Sequence, residues 1–162
     1  MGLNGIHPTA IIYPGVTIGQ NCYIGAYCVI GAPPEWKGRE ENPMGVVIGD
    51  DVIIHAHVTI DAGANGATYI GSRSYIMKGV HIGHDSNIHE GCTLSCHTLI
   101  GGSVTIGTNT NMGMGSIVHQ GVFIPSGCMV GMGAVITKKT VMRQNGVYVG
   151  NPAKYIRDND KH

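Results

Sequence analysis

The sequence has few charged side chains and is nearly free of Phe and Trp. Asp, Glu, Lys and Arg make up 12% of the 162 residues, with ten acidic and ten basic residues, and there is one Phe and one Trp. Because the two signs of charge are equal in number, no global charge favours nucleic acid or a membrane surface. The start of the chain also lacks the basic and then apolar segments of a secretion signal. We therefore expect a cytoplasmic protein that neither binds nucleic acid nor inserts into a membrane.

Charge is absent altogether from residues 91–137. Ser, Thr, Asn, Gln and His interrupt this stretch throughout, which excludes a membrane-spanning helix. Depletion of charge is typical of the centre of a subunit interface. The five cysteines form no CxxC pair, and their odd number argues against a complete disulfide framework. The sequence thus predicts reduced cysteines and an uncharged surface that is covered by another subunit.

What the sequence does contain is an aliphatic residue at every sixth position. The longest uninterrupted run has twelve such positions, from Ile70 to Ile136, and two shorter runs precede it, Ile12 to Ile30 and Ile48 to Ile60. Small or β-branched residues stand two positions before most of these aliphatics, and glycine often follows them. A helix repeats at 3.6 residues and a strand at two, so neither alone explains a period of six.

A short strand followed by a corner, repeated many times, does fit this period. The aliphatic residue and the residue two before it share one face of the strand, so both are predicted to point inward. The glycines suit corners that need unusual backbone angles or a close approach of two coils. Three units then close one triangular coil of eighteen residues, and stacked coils pair their strands about 4.8 Å apart. Four cysteines occupy the inward slot and are predicted to be core residues: Cys22, Cys28, Cys92 and Cys128.

The pattern resembles the hexapeptide-repeat acyltransferases over residues 7 to about 157. That resemblance implies an all-β fold, a left-handed parallel β-helix, and a homotrimer around a parallel threefold axis. The nineteen recognisable units make about six coils in a single domain, 1–162. The left hand and the trimer come from the resemblance alone, because a period cannot show either.

Two insertions interrupt the register, and counting three units per coil places them together. They are predicted at about residues 32–45, "APPEWKGREENPMG", and 62–68, "AGANGAT". Ile30, Ile60, Ile82, Ile100 and Val118 then form one column, so both insertions leave the same edge of the prism. Loops that project from a rigid scaffold often carry function. The same edge carries the stretch "HIGHD", residues 81–85.

His84 is the predicted general base. In UDP-sugar acyltransferases that the chain resembles, "HIGHD"-like stretches carry the catalytic histidine, and Asp85 stands beside it to orient the ring. An imidazole that titrates near neutrality is suited to take a proton from an attacking hydroxyl or amine. A backbone N–H of Gly101 or Gly102, one coil further on, is predicted to hold the oxyanion. The matching family glycine in "HTLIGG" is Gly101, and this sequence has Gly102 where those enzymes have histidine.

Other residues on this edge are predicted to contact the acceptor, a sugar or nucleotide sugar. Asp61 belongs to the same column as the corner glycines, and His81 should point outward on a prism face that lines the subunit cleft. His119 and Gln120, in "SIVHQG", resemble a "VHQ" stretch of the lipid A enzyme and complete this group.

The C-terminal segment, residues 140–162, is predicted to bind the acyl donor. "YVGNPAKYIR" resembles the "GNPAK" ending of acetyl-CoA-dependent members, and six of the ten basic residues lie from Lys138 onward, which suits the phosphates of coenzyme A. The lipid A enzymes that use an acyl carrier protein have a further helical region, which the printed sequence lacks. The resemblance therefore implies acetyl-CoA or another acyl-CoA as co-substrate, no permanently bound cofactor and no metal. The predicted donor-binding residues are Gly150, Asn151, Pro152, Ala153 and Lys154.

Three alternatives remain open. "IGAPPE" in the first insertion resembles the lipid A acyltransferase, which keeps an acyl-carrier-protein-dependent UDP-sugar O-acyltransferase in view. His84 and His89 are five apart, the spacing of a γ-class carbonic anhydrase, although a third histidine ligand is not clearly present. A non-enzymatic repeat protein would need a flat face of repeated Thr, and only "TIGTNTN" approaches that.

Overall fold

The computed structural model describes residues 4–160, so Lys161 of the basic cluster and His162 lie outside the described residues. The described chain consists of 22 short strands joined by corners, which form three sheets. Parallel pairs of strands stack coil on coil, as in the predicted parallel β-helix, and this is consistent with the left hand that the resemblance implies. No helix among the described residues is long and apolar enough to cross a membrane.

The strands are numbered in chain order, and each sheet takes one strand from each coil. The first sheet contains β1 (Gly5–Ile6), β4 (Tyr23–Ile24), β7 (Ile53–Ile54), β10 (Tyr75–Ile76), β13 (Thr93–Leu94), β16 (Asn111–Met112), β19 (Met129–Val130), β21 (Gly146–Val149) and β22 (Lys154–Asp158). The second contains β2 (Ile11–Ile12), β5 (Val29–Ala32), β8 (Thr59–Asp61), β11 (His81–Ile82), β14 (Leu99–Ile100), β17 (Ile117–Val118) and β20 (Val135–Ile136). The third contains β3 (Val16–Ile18), β6 (Val46–Ile48), β9 (Thr68–Ile70), β12 (Asn87–Ile88), β15 (Thr105–Ile106) and β18 (Phe123–Ile124).

The prediction of about six coils holds for the coils that have all three strands, but the solenoid has about eight turns. It begins earlier than the first recognised unit, with β1, and β19 and β20 form a partial seventh turn. The C-terminal segment was predicted to be a short tail. It contains β21, which adds to the first sheet beside β19, and β22, which returns antiparallel to β21. Tyr148 on β21 is fully buried and closes this end of the core.

The core fills the narrow interior with the residues that the period selects. The aliphatic positions from Ile24 to Ile136 are buried, and the slot two before them holds buried Val, Cys, Ala, Ser or Thr. All four cysteines predicted to be core residues are buried and unpaired. Burial raises the pKa of the Cys92 thiol to about 11, so this thiol stays protonated and unreactive at neutral pH.

Glycine serves the corners in two different ways. At the position after the aliphatic, most glycines have ordinary backbone angles, but a Cβ there would meet the backbone of the next coil. At Gly71, for example, a Cβ would lie 2.5 Å from the amide nitrogen of Glu90. Left-handed angles occur instead three positions before the aliphatic, where Asp85 has φ 57°. The prediction of close approach is therefore confirmed, whereas the unusual angles belong mainly to another position of the repeat.

Candidate active site

Both insertions leave the edge between the second and third sheets, as the sequence predicts. The first insertion, residues 33–45, joins β5 to β6, and the second, residues 62–67, joins β8 to β9. β5, β8 and β11 are neighbours in the second sheet, with Ile30, Ile60 and Ile82 in register. The two insertions are also bonded to each other: Met44 N–H donates to the Gly63 carbonyl at 2.8 Å, and Gly63 N–H donates to the Gly45 carbonyl at 3.1 Å.

His84 lies at the next corner of this column, immediately after β11. Its Nδ1 is 2.8 Å from Oδ2 of Asp85, and both side chains are mostly buried. Because an ionised carboxylate only accepts hydrogen bonds, Nδ1 of a neutral His84 carries the proton, and Nε2 is left with its lone pair. The backbone of the same residue is fixed too, since Ser103 N–H donates to the His84 carbonyl at 2.7 Å. The pair has the tautomer that a general base requires.

The other oxygen of Asp85 is held by the second insertion. Oδ1 accepts hydrogen bonds from three successive backbone N–H groups, those of Ala64 at 3.1 Å, Asn65 at 2.8 Å and Gly66 at 3.1 Å. Burial raises the pKa of Asp85, but the N–H of Asn65, the imidazole of His84 and the N–H of Gly66 outweigh it, and the net pKa is below its ordinary value. Asp85 is therefore a carboxylate at neutral pH.

Two further residues confine the ring of His84. The indole of Trp36, from the first insertion, stacks on the imidazole with ring centroids 5.1 Å apart and planes inclined by 29°. On the next coil, a Cβ at Gly102 would lie 2.5 Å from Nε2 and 2.6 Å from Cε1 of His84. In this chain, a side chain at position 102 would therefore require the ring of His84 to shift.

A cavity of about 300 Å³ opens beside this ring. His84 and Gly102 line it together with Trp36, Gln120 and Lys138. A second cavity, of about 700 Å³, lies along the C-terminal segment. Lys138 lines both cavities. The imidazole and the basic C-terminal segment are therefore parts of one continuous region of the surface.

The two glycines proposed for the oxyanion differ in their surroundings. Gly101 N–H donates to the Val118 carbonyl at 3.0 Å, as part of the ladder between coils, and Gly101 does not line the cavity. Gly102 lines it, and within residues 4–160 its N–H has no hydrogen-bond acceptor. Of the two predicted oxyanion donors, Gly102 is therefore the one whose N–H is not engaged in the ladder between coils.

Asp61 and His81 form a separate pair next to the cavity. Asp61 Oδ2 is 3.9 Å from Nε2 of His81, and Nδ1 of His81 contacts the Thr59 hydroxyl at 2.8 Å. Burial raises the pKa of Asp61, the charge of His81 opposes this, and nearby Glu35 adds to it, so the net pKa is above its ordinary value. Neither member of the pair lines the cavity beside His84.

The remaining predicted residues divide between the two cavities. Gln120 lines the smaller one, whereas His119 lines the larger one, with its Nδ1 3.0 Å from the Gln120 carbonyl. Of the five predicted donor-binding residues, Pro152, Ala153 and Lys154 line the larger cavity. Gly150 and Asn151 form the turn before them and do not line it.

The spacing of His84 and His89 does not bring the two imidazoles to one corner. His84 follows β11 of the second sheet, and His89 follows β12 of the third. Across residues 4–160 of the single chain, no three His, Cys, Asp or Glu side chains come together as a metal site would require.

Several residues that line the cavities were not predicted, among them Trp36, Ser103 and Thr137. Trp36 is the single Trp of the chain and stands in an insertion, and that position was the signal that could have identified it. Ser103 and Thr137 line the cavities from corners of the regular repeat, and nothing in their sequence context distinguishes them from other corner residues.

Comparison with known proteins agrees with this architecture. Residues 4–32 match the family of bacterial transferase hexapeptides (six repeats), and residues 68–96 and 103–138 match the hexapeptide repeat of succinyl-transferase. The chain is 30% identical over 128 residues to an acyl-[acyl-carrier-protein]–UDP-N-acetylglucosamine O-acyltransferase of Campylobacter concisus, a match that covers 76% of this chain and 49% of that protein. The enzyme of the same name from Burkholderia orbicola is 33% identical over 165 residues, and that match covers 78% of this chain and 63% of that protein.

A solved structure shows the same fold over almost the whole chain. It is the UDP-N-acetylglucosamine O-acyltransferase of Moraxella catarrhalis RH4, with a TM-score of 0.79 and 28% identity, covering 96% of this chain and 75% of that one. The curated relatives are longer, and the chain spans about half of their length. A solenoid of stacked six-residue units is the architecture of the hexapeptide-repeat proteins whose family models match this chain. The chain belongs to the hexapeptide-repeat acyltransferase superfamily.

Proposed function

We propose that this protein transfers an acyl group, in the first instance acetyl, from a coenzyme A thioester to an amine or hydroxyl of a sugar or nucleotide sugar. The observation that carries the proposal is the state of His84: Nδ1 is held by Asp85, and Nε2 lies against Gly102 at the wall of a cavity. A corner histidine that only formed a hydrogen bond to the neighbouring coil would need neither a carboxylate at Nδ1 nor a cavity beside Nε2.

The chemistry requires one proton to be moved twice. The acceptor O–H or N–H gives its proton to Nε2 of His84 while its heavy atom forms a bond to the thioester carbonyl carbon. The carbonyl oxygen becomes an oxyanion, and we assign its stabilisation to the N–H of Gly102. When the tetrahedral intermediate collapses, the carbon–sulfur bond breaks, and the imidazolium returns the proton to the leaving thiolate. Asp85 supports the positive charge that His84 carries between the two steps.

The larger cavity supports a coenzyme A donor. Three lysines, Lys138, Lys139 and Lys154, line it beside the apolar side chains of Val141 and Pro152. Ammonium groups suit the phosphates of the donor, and apolar side chains suit its pantetheine arm. Because Lys138 also lines the cavity beside His84, a thioester at the end of that arm would reach the base.

An acyl carrier protein is the second candidate donor, and the names of the Campylobacter and Burkholderia relatives favour it. Such a carrier presents the same phosphopantetheine arm, so the same lysines and the same cavity would receive it. The acceptor in those names is UDP-N-acetylglucosamine, which makes a hydroxyl of a UDP-sugar the corresponding acceptor here.

A turnover screen tests the proposal. Acetyl-CoA and an acylated acyl carrier protein are each incubated with UDP- and dTDP-amino sugars, UDP-N-acetylglucosamine and simple glycosides, and free thiol release is measured. Turnover with acetyl-CoA is the expected result. Turnover only with the acylated carrier replaces the first donor by the second, and no turnover with either, in protein that binds neither donor, contradicts an acyltransferase.

We also propose a homotrimer in which the second sheet faces a neighbouring subunit. Leu99 and Ile117 are 44% and 41% exposed, and both stack in register on the outer face of this sheet above His81. Exposed apolar side chains in an uncharged surface are typical of an interface. Sedimentation should give three chains per particle, and Ile117→Asp should lower the mass to that of one chain.

A further inference from the structure

The second insertion is unusually well adapted to hold one carboxylate. Three successive N–H groups converge on the same oxygen of Asp85, an arrangement that forms a small anion-binding concavity of the main chain. Hydrogen bonds to a charged acceptor are shorter and stronger than those between neutral groups. The insertion therefore binds an anion that belongs to the chain itself and lies next to the base.

The backbone of the insertion has little freedom to adopt another shape. Gly63 is buried, and a Cβ added to it would overlap the carbonyl oxygen of Gly66 and lie 2.6 Å from its carbonyl carbon. The same Cβ would be 3.2 Å from Oδ1 of Asp85. Gly63 is also bonded on both sides to the first insertion. Only glycine permits this tight loop, and the tightness brings the three N–H groups to one point.

We propose that the second insertion is a positioning element for the general base. Its three N–H groups fix the carboxylate of Asp85, and Asp85 fixes the plane and tautomer of His84, so that Nε2 faces Gly102 and the cavity. The inference rests on the proposed function insofar as it concerns catalysis, but the fixed orientation of His84 is a property of the protein that is measurable without turnover. Outer partners that orient a functional histidine typically affect activity by about 10- to 100-fold.

Gly63→Ala is the variant that breaks the element. The added methyl group collides with backbone, so the loop must open and the three N–H groups must separate. Ala67→Ser is the matched control, because it also adds one heavy atom to the same insertion, at an exposed side chain that takes no part in holding Asp85. Asp85→Asn is a second test, which removes the charge that the N–H groups hold without changing the shape of the side chain.

Two measurements distinguish an insertion that orients His84 from one that only stabilises the fold. The first is the steady-state rate: Gly63→Ala and Asp85→Asn should lower kcat at least about tenfold while KM for donor and acceptor stays within about twofold. The second is the fluorescence of Trp36, the single tryptophan of the chain, which stacks on His84. A protonated imidazole in contact with an indole quenches its emission, so acidification should quench Trp36 in the wild type and in Ala67→Ser. His84→Ala should remove this titration, and both Gly63→Ala and Asp85→Asn should reduce its amplitude.

The outcomes distinguish the inference from the proposed function. Wild-type kcat and a wild-type quenching amplitude in Gly63→Ala and Asp85→Asn would overturn the positioning role. Should no donor support turnover even in the wild type, the proposed function fails, whereas the quenching amplitudes still decide whether the insertion orients His84. If Gly63→Ala gives no cooperative thermal transition, the same two measurements on Asp85→Asn decide the matter.

Discussion

His84 and His55 both stand at corners of the same repeat, yet their surroundings differ completely. His55 follows β7, where an uninterrupted corner leads to β8. Its Nε2 is 2.7 Å from the Tyr75 hydroxyl, and its ring makes T-shaped contacts with the rings of Tyr23 and Tyr75. His84 instead has a carboxylate on Nδ1, an indole on one face and a cavity beside Nε2. The repeat provides a rigid corner in both cases, and the insertions turn one of these corners into a site.

The largest difference in kcat should be that between His84→Ala and His55→Ala. His84→Ala removes the proposed base, and kcat should fall by at least about two orders of magnitude, the usual scale for such a group. His55→Ala loses a hydrogen bond and ring contacts at a partly exposed corner, so its kcat should stay within about twofold while its thermal midpoint falls slightly. Equal kcat values for the two variants would mean that the insertions do not define the site.

Gly102→Ala should give the next largest effect. The new Cβ would sit within van der Waals overlap of the His84 ring, at 2.5 Å from Nε2, and the ring must turn away from the cavity. We expect kcat to fall about tenfold or more, because small displacements of a catalytic group are costly. A crystal structure of the variant provides the direct measurement. An unmoved imidazole together with wild-type kcat would show that Gly102 does not shape the site.

Much of this geometry follows from the period of the sequence. The buried aliphatic column and the common edge of the two insertions were predicted, since six-residue spacing fixes which residues stack. The contact of Asp85 with His84 was suggested by their adjacency and by the family resemblance, and not by the period. The left-handed angle at Asp85 was not predicted, because a period shows which positions repeat and not their backbone angles. β21 was missed because Tyr148, an aromatic residue, occupies the position where the aliphatic residue is expected, whereas Ile6 of β1 stands six before Ile12 and continues the register.

The position of Trp36 could not be predicted for a different reason. The conformation of the first insertion depends on hydrogen bonds to the second insertion, from Met44 to Gly63 and back to Gly45. Such contacts join residues that are far apart in sequence and have no periodic signal. The cation–π contact of Arg39 with the Trp36 ring, 5.7 Å from its centroid, is local to the first insertion but has no periodic signal either.

Substitution of Trp36 should lower kcat moderately, by less than the substitution of His84. Trp36→Ala removes the ring that stacks on His84, and an aromatic pair of this kind is worth about 0.5–1.5 kcal/mol. We expect kcat to fall by roughly threefold to tenfold, which corresponds to this energy. Trp36→Phe keeps a ring on the imidazole and should restore most of the rate. Recovery that is no better with Phe than with Ala would mean that stacking does not contribute.

The smallest effects concern stability, and they should have opposite signs for the two aspartates of this edge. Asp85 has a lowered pKa, so its charge stabilises the fold above its unfolded pKa of about 4, and this stability is lost as the pH falls through the lowered value. Asp61 has a raised pKa, so its charge opposes folding at neutral pH. Asp85→Asn should therefore destabilise the protein at pH 7, whereas Asp61→Asn should stabilise it.

Urea unfolding at a series of pH values measures both differences. The deficit of Asp85→Asn should shrink only in strong acid, below about pH 4. The gain of Asp61→Asn should already shrink as the pH falls from the raised pKa towards about 4, where the folded and the unfolded wild type both bind the proton. A gain for Asp85→Asn, or a deficit for Asp61→Asn at pH 7, would contradict the assigned surroundings.

The two insertions begin on neighbouring strands of the second sheet and end on neighbouring strands of the third, without disturbing the aliphatic column beneath them. Scaffold and recognition loops are therefore separable parts of this molecule. A chimera that carries the 33–45 segment of another superfamily member should melt at the same temperature as this protein. Its acceptor preference should become that of the protein from which the segment was taken. For protein engineering, the solenoid is a scaffold on which the first insertion is exchanged while His84 and Asp85 keep their corner.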